Sequence, residues 1–435
     1  MVLPPIKPTA SGFRRHEMAL LCAVGTILCY ADRTNIGVAI PAFQPDHAVQ
    51  GHILSAFFYG YIATQILGAS AAATHGPKRV LVVGVVTWTV FDLLTIPFAH
   101  TPVLLWLARV GMGLGEGIIF PCMHGIAVSW YPRPERTRLN ATVTSGMDLG
   151  TVVAMILSPW LMATYDFAAI FLTFGILCAM WVVVFAWRGA DSPRTDALVT
   201  ADEKSYIAAY SDPRSMTSTT RLSFTSPSIV AIYVSHFAYN YGWYVLLGWI
   251  PQYLRDQLHL ELATSGVAAA IPYFCGYLGV LLWGAASDWL IARGVRVLTV
   301  RKTMNGLGLI GSAVCLYSLR FVATPVAAVG LLSFTLLLSR AACSGYWVNM
   351  LDVAPTHAAH LMGVSNTIAT IPGIVGNIVT GQILASSGSW DLVFAIASAV
   401  LITGGLVFHV YASDVSQETA VGTVAPTDTT ALLAK

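Results

Sequence analysis

The chain has 435 residues, 56% of them apolar and only 10% charged, with a formal net charge of +2. A soluble domain carries about 25% charged residues, so the composition excludes an ordinary water-soluble fold, and so small a net charge excludes an electrostatic nucleic-acid binder. The seven cysteines (22, 29, 122, 178, 275, 315 and 343) all fall in apolar stretches with no Cys-x-x-Cys pairing, which reads as buried packing rather than disulfides or metal ligands.

In chain order, a short basic leader without a signal-peptide pattern is followed by apolar stretches of about 20 residues, each long enough to cross a bilayer as a helix. They fall near 18–42, 52–74, 79–98, 102–130, 138–163, 167–187, 228–251, 263–287, 303–322, 325–350, 359–385 and 390–412. The longest polar interruption, Arg188 to Pro227, divides these twelve spans into two sets of six. The expected architecture is an all-α membrane protein of twelve transmembrane helices in two six-helix halves, with the site between them. Its divisions are a tail 1–17, a first half 18–187, a central loop 188–227, a second half 228–412 and a tail 413–435. Even parity puts both termini on one side, which collects 18 of the 23 Lys and Arg residues. By the positive-inside rule that side is the cytosol.

Charges inside these spans are the informative residues, because a charge in hydrocarbon costs several kcal/mol unless it is paired or lines a wet cavity. Asp32 and Arg33 interrupt span 1, at ~20–22 Å from its start. In span 4, Arg109 and Glu116 stand seven residues apart, close to two helical turns, so they share a face. Asp148 in span 5, Tyr239, Asn240 and Tyr241 in span 7, and Arg340 in span 10 lie near the same central layer. Asp148 and Arg340 belong to opposite halves and are candidates for an ion pair across the cavity. Asp92, toward the far end of span 3, reads as a partly hydrated helix-end residue, and His357 with His360 as an interfacial pair rather than a metal site.

Several strings resemble one family. YADRTNIGVA in span 1, FFYGYIATQILG in span 2 and GLGEGIIFPCMHGIAVSWYPRPERTRL through span 4 resemble the anion:cation symporter branch of the major facilitator superfamily. So do HFAYNYGWYVLLGWIPQYL in span 7, VRKTMN before span 9 and LDVAPTHAAHLMGVSNTIATIPGIVG into span 11. Within that branch the chain is most similar to the solute carrier 17 group, the type I phosphate, sialin and vesicular anion transporters, and to plant plastid phosphate and ascorbate carriers. The resemblance implies that Arg33 and Arg109 bind substrate and that Glu116, paired with Arg109, is a proton-coupling site. It makes Asp32 a second coupling candidate, matches His124 to the family's span 4 histidine, and leaves Asp148 as a departure that joins the coupling candidates. Tyr59, Asn240, Tyr241 and Asn366 fall in the matching strings as further substrate contacts. Leu54 and Tyr239 stand where glutamate-type members have a histidine and an arginine, which argues against vesicular glutamate as substrate.

The expected function is therefore alternating-access symport of a small organic or inorganic anion, of the carboxylate or phosphate class, driven by protons or sodium. A facilitative or potential-driven anion exchanger and a non-transporting membrane sensor remain the other readings. No nucleophile–base set or phosphate loop points to an enzyme, no cofactor beyond the coupling ion is implied, and the protein is expected to act as a monomer in the bilayer. Asp428, Leu432 and Leu433 in the tail resemble an acidic dileucine sorting signal, so an endolysosomal or vesicular membrane stands beside the plasma membrane as the expected location.

Overall fold

The computed structural model describes residues 12–132, 135–210, 220–355 and 357–420, and their backbone is almost wholly helical. Span 1 is Arg14–Ala39, span 2 His47–His75, span 3 Pro77–Leu93 continued by Thr95–Phe98, span 5 Arg136–Thr164 and span 6 Phe167–Arg188. Span 4 comes in two pieces, Pro102–Glu116 and Ile119–Trp130. In the second half, span 7 is Pro227–Leu258, span 8 Leu262–Ala292, span 11 Ala358–Ser387 and span 12 Trp390–Tyr411. Span 9 runs through Val297–Gly306, a wide turn Leu307–Gly311 and Ser312–Ser318. Span 10 runs through Pro325–Ser339, a wide turn Cys343–Trp347 and Val348–Val353.

Many of the helix starts follow local chemistry. Pro77, Pro102, Pro227 and Pro325 each open a span, where the missing N–H leaves nothing unpaired. The Asp46 carboxylate accepts from the Ala48 and Val49 amides at the head of span 2, and Asp166 does the same for Ala169 in span 6. Among the described residues, eight helices are long and apolar enough to cross a bilayer, and a ninth follows if the limbs His47–Gln65 and Leu67–His75 of span 2, bent by 46°, count as one. The remaining spans 1, 7 and 9 carry more polar side chains, including those of the site.

The break in span 4 was not anticipated from its continuous apolar run. Pro121 lies four residues after Gly117, so its ring crowds the Gly117 carbonyl and offers it no N–H. The helix accordingly stops at Glu116 and restarts at Ile119, placing a carboxylate on the last residue before the joint. Six spans later the pattern recurs: Pro325–Ser339 ends against Arg340, and a wide turn follows.

The halves meet through span 2 on span 11, span 1 on span 7 and span 5 on span 8. On the side away from the termini this seam is backbone against backbone. A Cβ on Gly51 would lie 2.6 Å from the Asn377 carbonyl oxygen, one on Gly381 2.5 Å from that of His47, and one on Gly37 2.8 Å from that of Gly248. Gln252 and the His47 ring close the same edge at 2.8 Å. Toward the termini the limbs of span 2 are bent by 46°. The structure is thus closed along the edge away from the termini, and toward the termini Gln65 of span 2 still bonds Thr370 of span 11 at 3.2 Å. Gly51→Val is expected to wedge the sealed side at a cost of about 1–3 kcal/mol, lowering transport roughly 5- to 150-fold at unchanged membrane abundance. Uptake per molecule checks this, and a normal rate would show that the seam need not close.

The central loop folds back onto the first half. Glu203, on the short helix Ala201–Tyr210, accepts from the Arg14 and Arg15 amides at 3.2 and 3.0 Å and from the Arg15 guanidinium at 2.9 Å. Arg15 also grips both oxygens of Glu135 at 3.0 Å. Burial raises the Glu135 carboxyl, but the Arg15 hydrogen bonds and charge outweigh it and hold the group below its ordinary value. This clamp is therefore complete above the carboxylate range and is lost on acidification through that lowered value. Two three-residue strands, Thr220–Leu222 and Glu418–Ala420, pair antiparallel and are a small exception to the all-α expectation. Asp428, Leu432 and Leu433 lie outside the described residues.

Candidate functional site

Span 1 and the broken span 4 build the centre together. The Arg33 guanidinium donates through Nε at 3.0 Å and Nη2 at 2.8 Å to one oxygen, Oε2, of Glu116. The Cys29 thiol, one turn before Arg33, donates to the same oxygen at 3.1 Å. The guanidinium carbon lies 4.7 Å from the Tyr30 ring centre, 4.7 Å from Phe57 and 4.8 Å from Tyr61, an aromatic cage that replaces its lost hydration with cation–π contact. Both partners are buried, Glu116 completely. Removing one charge of such a pair strands the other in a medium that hydrates neither.

Arg109 does not pair with Glu116, as the shared face of span 4 suggested. Residues seven apart on a helix are separated by about 10 Å along the axis, so sharing a face does not bring their charges together. The Arg109 Nη1 instead sits 2.7 Å from the Met112 sulfur and 3.9 Å from the Asp92 carboxylate. Asp92 is consequently no hydrated helix-end residue: it is 0% exposed and turned inward toward span 4. Asp32 faces the opposite way from Arg33, accepting from the Trp88 indole and the Cys178 thiol, both at 3.1 Å. Two of the seven cysteines, Cys29 and Cys178, thus donate to buried carboxylates rather than serving only as packing, and all seven are free thiols.

Arg33 and Arg109 both line one central cavity, with Thr34, Phe57 and Phe58 from the first half and Tyr244, Leu247 and Asn377 from the second. Its volume is about 20 Å³, room for a water or two rather than a sugar acid. An anion would need the walls to separate. Leu54 also lines it, an apolar wall at the position that the sequence comparison singled out.

Beside this cavity the structure brings Asp148 and Arg340 together. The Arg340 Nη2 donates to the Asp148 carboxylate, its Nη1 donates to the Tyr239 hydroxyl at 2.8 Å, and its carbon lies 4.2 Å over the Trp243 ring. Among the described residues it is the one mid-depth ion pair that joins the two six-span sets. Asp148→Asn or Arg340→Gln alone is expected to destabilise the protein by about 3–5 kcal/mol, and the double variant by clearly less, because no unpaired charge remains. Thermal unfolding of the purified variants measures this, and a double variant no better than the worse single one would refute the coupling.

The other sequence candidates scatter. Tyr59 is 43% exposed and its ring lies against Trp106 outside the cavity. His124 is exposed, with Nδ1 2.9 Å from the Phe120 carbonyl of its own helix. Asn240 is buried and donates to the Ala369 carbonyl at 2.7 Å, tying span 7 to span 11. Tyr241 packs beside Gly376, and Asn366 is half-buried on span 11. His357 meets Glu418 at 3.0 Å in the tail strand, an interfacial role. The residues that sequence reasoning missed are Asp92, Phe57, Phe58, Tyr244 and Asn377. Asn377 had a signal, since it follows Asn366 by eleven residues, three helical turns, on the same face.

The Major Facilitator Superfamily pattern matches residues 22–377 and, in a second match, 233–431. The chain is 35% identical to the chloroplastic ascorbate transporter of Arabidopsis thaliana, over 92% of this chain and 75% of that protein. It is 33% identical to the chloroplastic sodium-dependent phosphate transport protein 1 of Arabidopsis thaliana, over 92% and 79%. It is 32% identical to sialin of Homo sapiens, over 94% and 91%. Its fold resembles that of a bacterial homolog of the lysosomal transporter Spinster, at 16% identity, TM-score 0.70 and coverage of 94% and 96%. It also resembles the D-xylose–proton symporter, at 12% identity, TM-score 0.72 and coverage of 93% and 99%. Twelve spans in two halves, charges gathered at the seam and the matched pattern agree: the chain belongs to the Major Facilitator Superfamily, a family of membrane transporters rather than enzymes.

Proposed function

We propose that the protein is a proton-coupled symporter of a small carboxylate or phosphate anion. The observation that carries this reading is that both cavity-lining arginines, Arg33 and Arg109, are planar forks suited to an oxyanion, and one of them is clasped by the buried Glu116. While Glu116 holds Arg33, the anion must compete for that guanidinium. A proton on Glu116 removes the competing charge and frees Arg33, so proton and anion enter together. The two halves then rock about the site, opening the closed edge in turn. Relatives named for ascorbate, phosphate and anions support the substrate class. The excess of Lys and Arg on the terminal side supports cytosolic termini, and relatives named for chloroplasts leave an internal membrane open beside the cell surface. Uptake by proteoliposomes, run with phosphate, glucuronate, ascorbate and sialic acid under imposed proton or sodium gradients, tests the proposal. Accumulation that follows the proton gradient supports it. Equilibration without accumulation would make the protein an exchanger, accumulation following sodium alone would change the coupling ion, and no flux with any anion would leave a sensor.

A further inference from the structure

We infer that Asp92 is a second proton site, acting on Arg109 as Glu116 acts on Arg33, so that two protons accompany each anion. This rests on the proton-coupled reading above. Apart from Asp148, which pairs with Arg340, and from Arg14 and Arg15, which pair at the terminal edge, spans 1 to 6 bury three carboxylates, Asp32, Asp92 and Glu116, against two guanidiniums, Arg33 and Arg109. With all five ionised the core carries one uncompensated negative charge in a medium that charges avoid.

The three carboxylates differ in what holds them. Glu116 takes three donors on Oε2, and Asp32 takes the Trp88 and Cys178 donors on Oδ2. Asp92 is fully buried and neither of its oxygens receives a hydrogen bond of normal geometry, although the Asn35 amide lies beside it. Thr89 and Thr95, one turn to either side of Asp92, are buried with hydroxyls that also lack partners. The ionisable groups facing Asp92 are Asp32 from span 1, Arg109 and Glu116 from span 4, and Cys178 from span 6. Its single cation contact is Arg109 at 3.9 Å, longer than a hydrogen bond. A proton landing on Asp92 therefore breaks no hydrogen bond of normal geometry and removes a poorly compensated buried charge.

Arg109 links this group to transport, because the same guanidinium lines the central cavity and faces Asp92. Each substrate-facing arginine has its own carboxylate: Glu116 for Arg33 and Asp92 for Arg109. An anion engaging both forks needs both released. With Asp92 and Glu116 protonated, the core changes from one negative to one positive charge, and a bound monoanion makes it neutral. No covalent step is involved; two protons bind and leave with the anion.

Infrared difference spectroscopy between acidic and neutral buffer, on the purified full chain in lipid nanodiscs, tests this without a substrate. Two protonated-carboxyl bands are expected, Glu116→Gln removing one and Asp92→Asn the other, while Asp92→Glu shifts its band. An acidic-minus-neutral spectrum unchanged in Asp92→Asn, or a band unshifted in Asp92→Glu should the asparagine variant misfold, overturns the proposal. With potassium and valinomycin holding the potential at zero, glucuronate or monovalent phosphate should accumulate about 100-fold per pH unit in the wild type and about tenfold in Asp92→Asn. A wild-type slope of one proton overturns the second site alone, whereas no proton-driven accumulation at all would instead remove the symport reading beneath it.

Discussion

Replacing Arg33 by lysine is expected to lower anion uptake roughly 30- to 150-fold, equivalent to about 2–3 kcal/mol, while the protein still reaches the membrane. The guanidinium lies flat among three rings and reaches Glu116 through two nitrogens at once. An ammonium keeps the charge, and with it enough of the Glu116 contact for folding, but cannot present a planar fork to a carboxylate or phosphate. Arg109→Lys should fall similarly, since Arg109 shares the cavity wall. Uptake normalised to membrane abundance measures the effect, and near-normal transport in both lysine variants would exclude bidentate binding.

Glu116→Gln should lower gradient-driven accumulation by one proton's share yet retain exchange of labelled for unlabelled anion. Glutamine imitates the protonated carboxyl permanently, so Arg33 is free in every state and no proton needs to travel through this site. The loss is expected to be about tenfold in accumulation ratio per pH unit, one proton's share of the driving force. Measuring net uptake and counterflow on the same vesicles separates the two modes. An unaltered pH response in the glutamine variant would move coupling to Asp32, Asp92 or Asp148.

How far the site could be read from residues depended on what each inference used. Depth along a helix needs only the rise per residue, and it grouped Asp32, Arg33, Glu116, Asp148 and Arg340, of which the structure joins Arg33 to Glu116 and Asp148 to Arg340. Two of these, Asp148 and Arg340, were expected to meet because opposite charges at equal depth in opposite halves have few other partners. Facing was harder. A helix surrounded by lipid and by other helices has apolar residues all around, so the sequence pattern barely marks which side is inward. That is why Tyr59, a substrate contact by resemblance, and His124, matched to the family's histidine, lie outside the cavity, and why Asp92 was read as hydrated and is buried. Which guanidinium Glu116 would take depended on how close span 1 comes to span 4, a distance that no local rule supplies. The joint after Glu116 was within reach, since Pro121 is visible in the sequence, but its apolar surroundings suggested an unbroken span.

That joint has an electrical consequence. The aligned peptide dipoles of Pro102–Glu116 leave about half a negative charge at the end where Glu116 sits. Pro325–Ser339 leaves the same partial charge against Arg340. Two helices of the same design therefore act in opposite senses. One end welcomes its guanidinium, so Arg340 is settled by its own backbone before Asp148 adds anything. The other repels its carboxylate, so ionised Glu116 leans on Arg33, and a proton relieves the mismatch. Spans 4 and 10 occupy equivalent places in the two halves, yet the first holds a charge that is easily discharged and the second one that is not. The sixfold step in the chain thereby divides labour: a switching half and an anchoring half, made from one architectural plan.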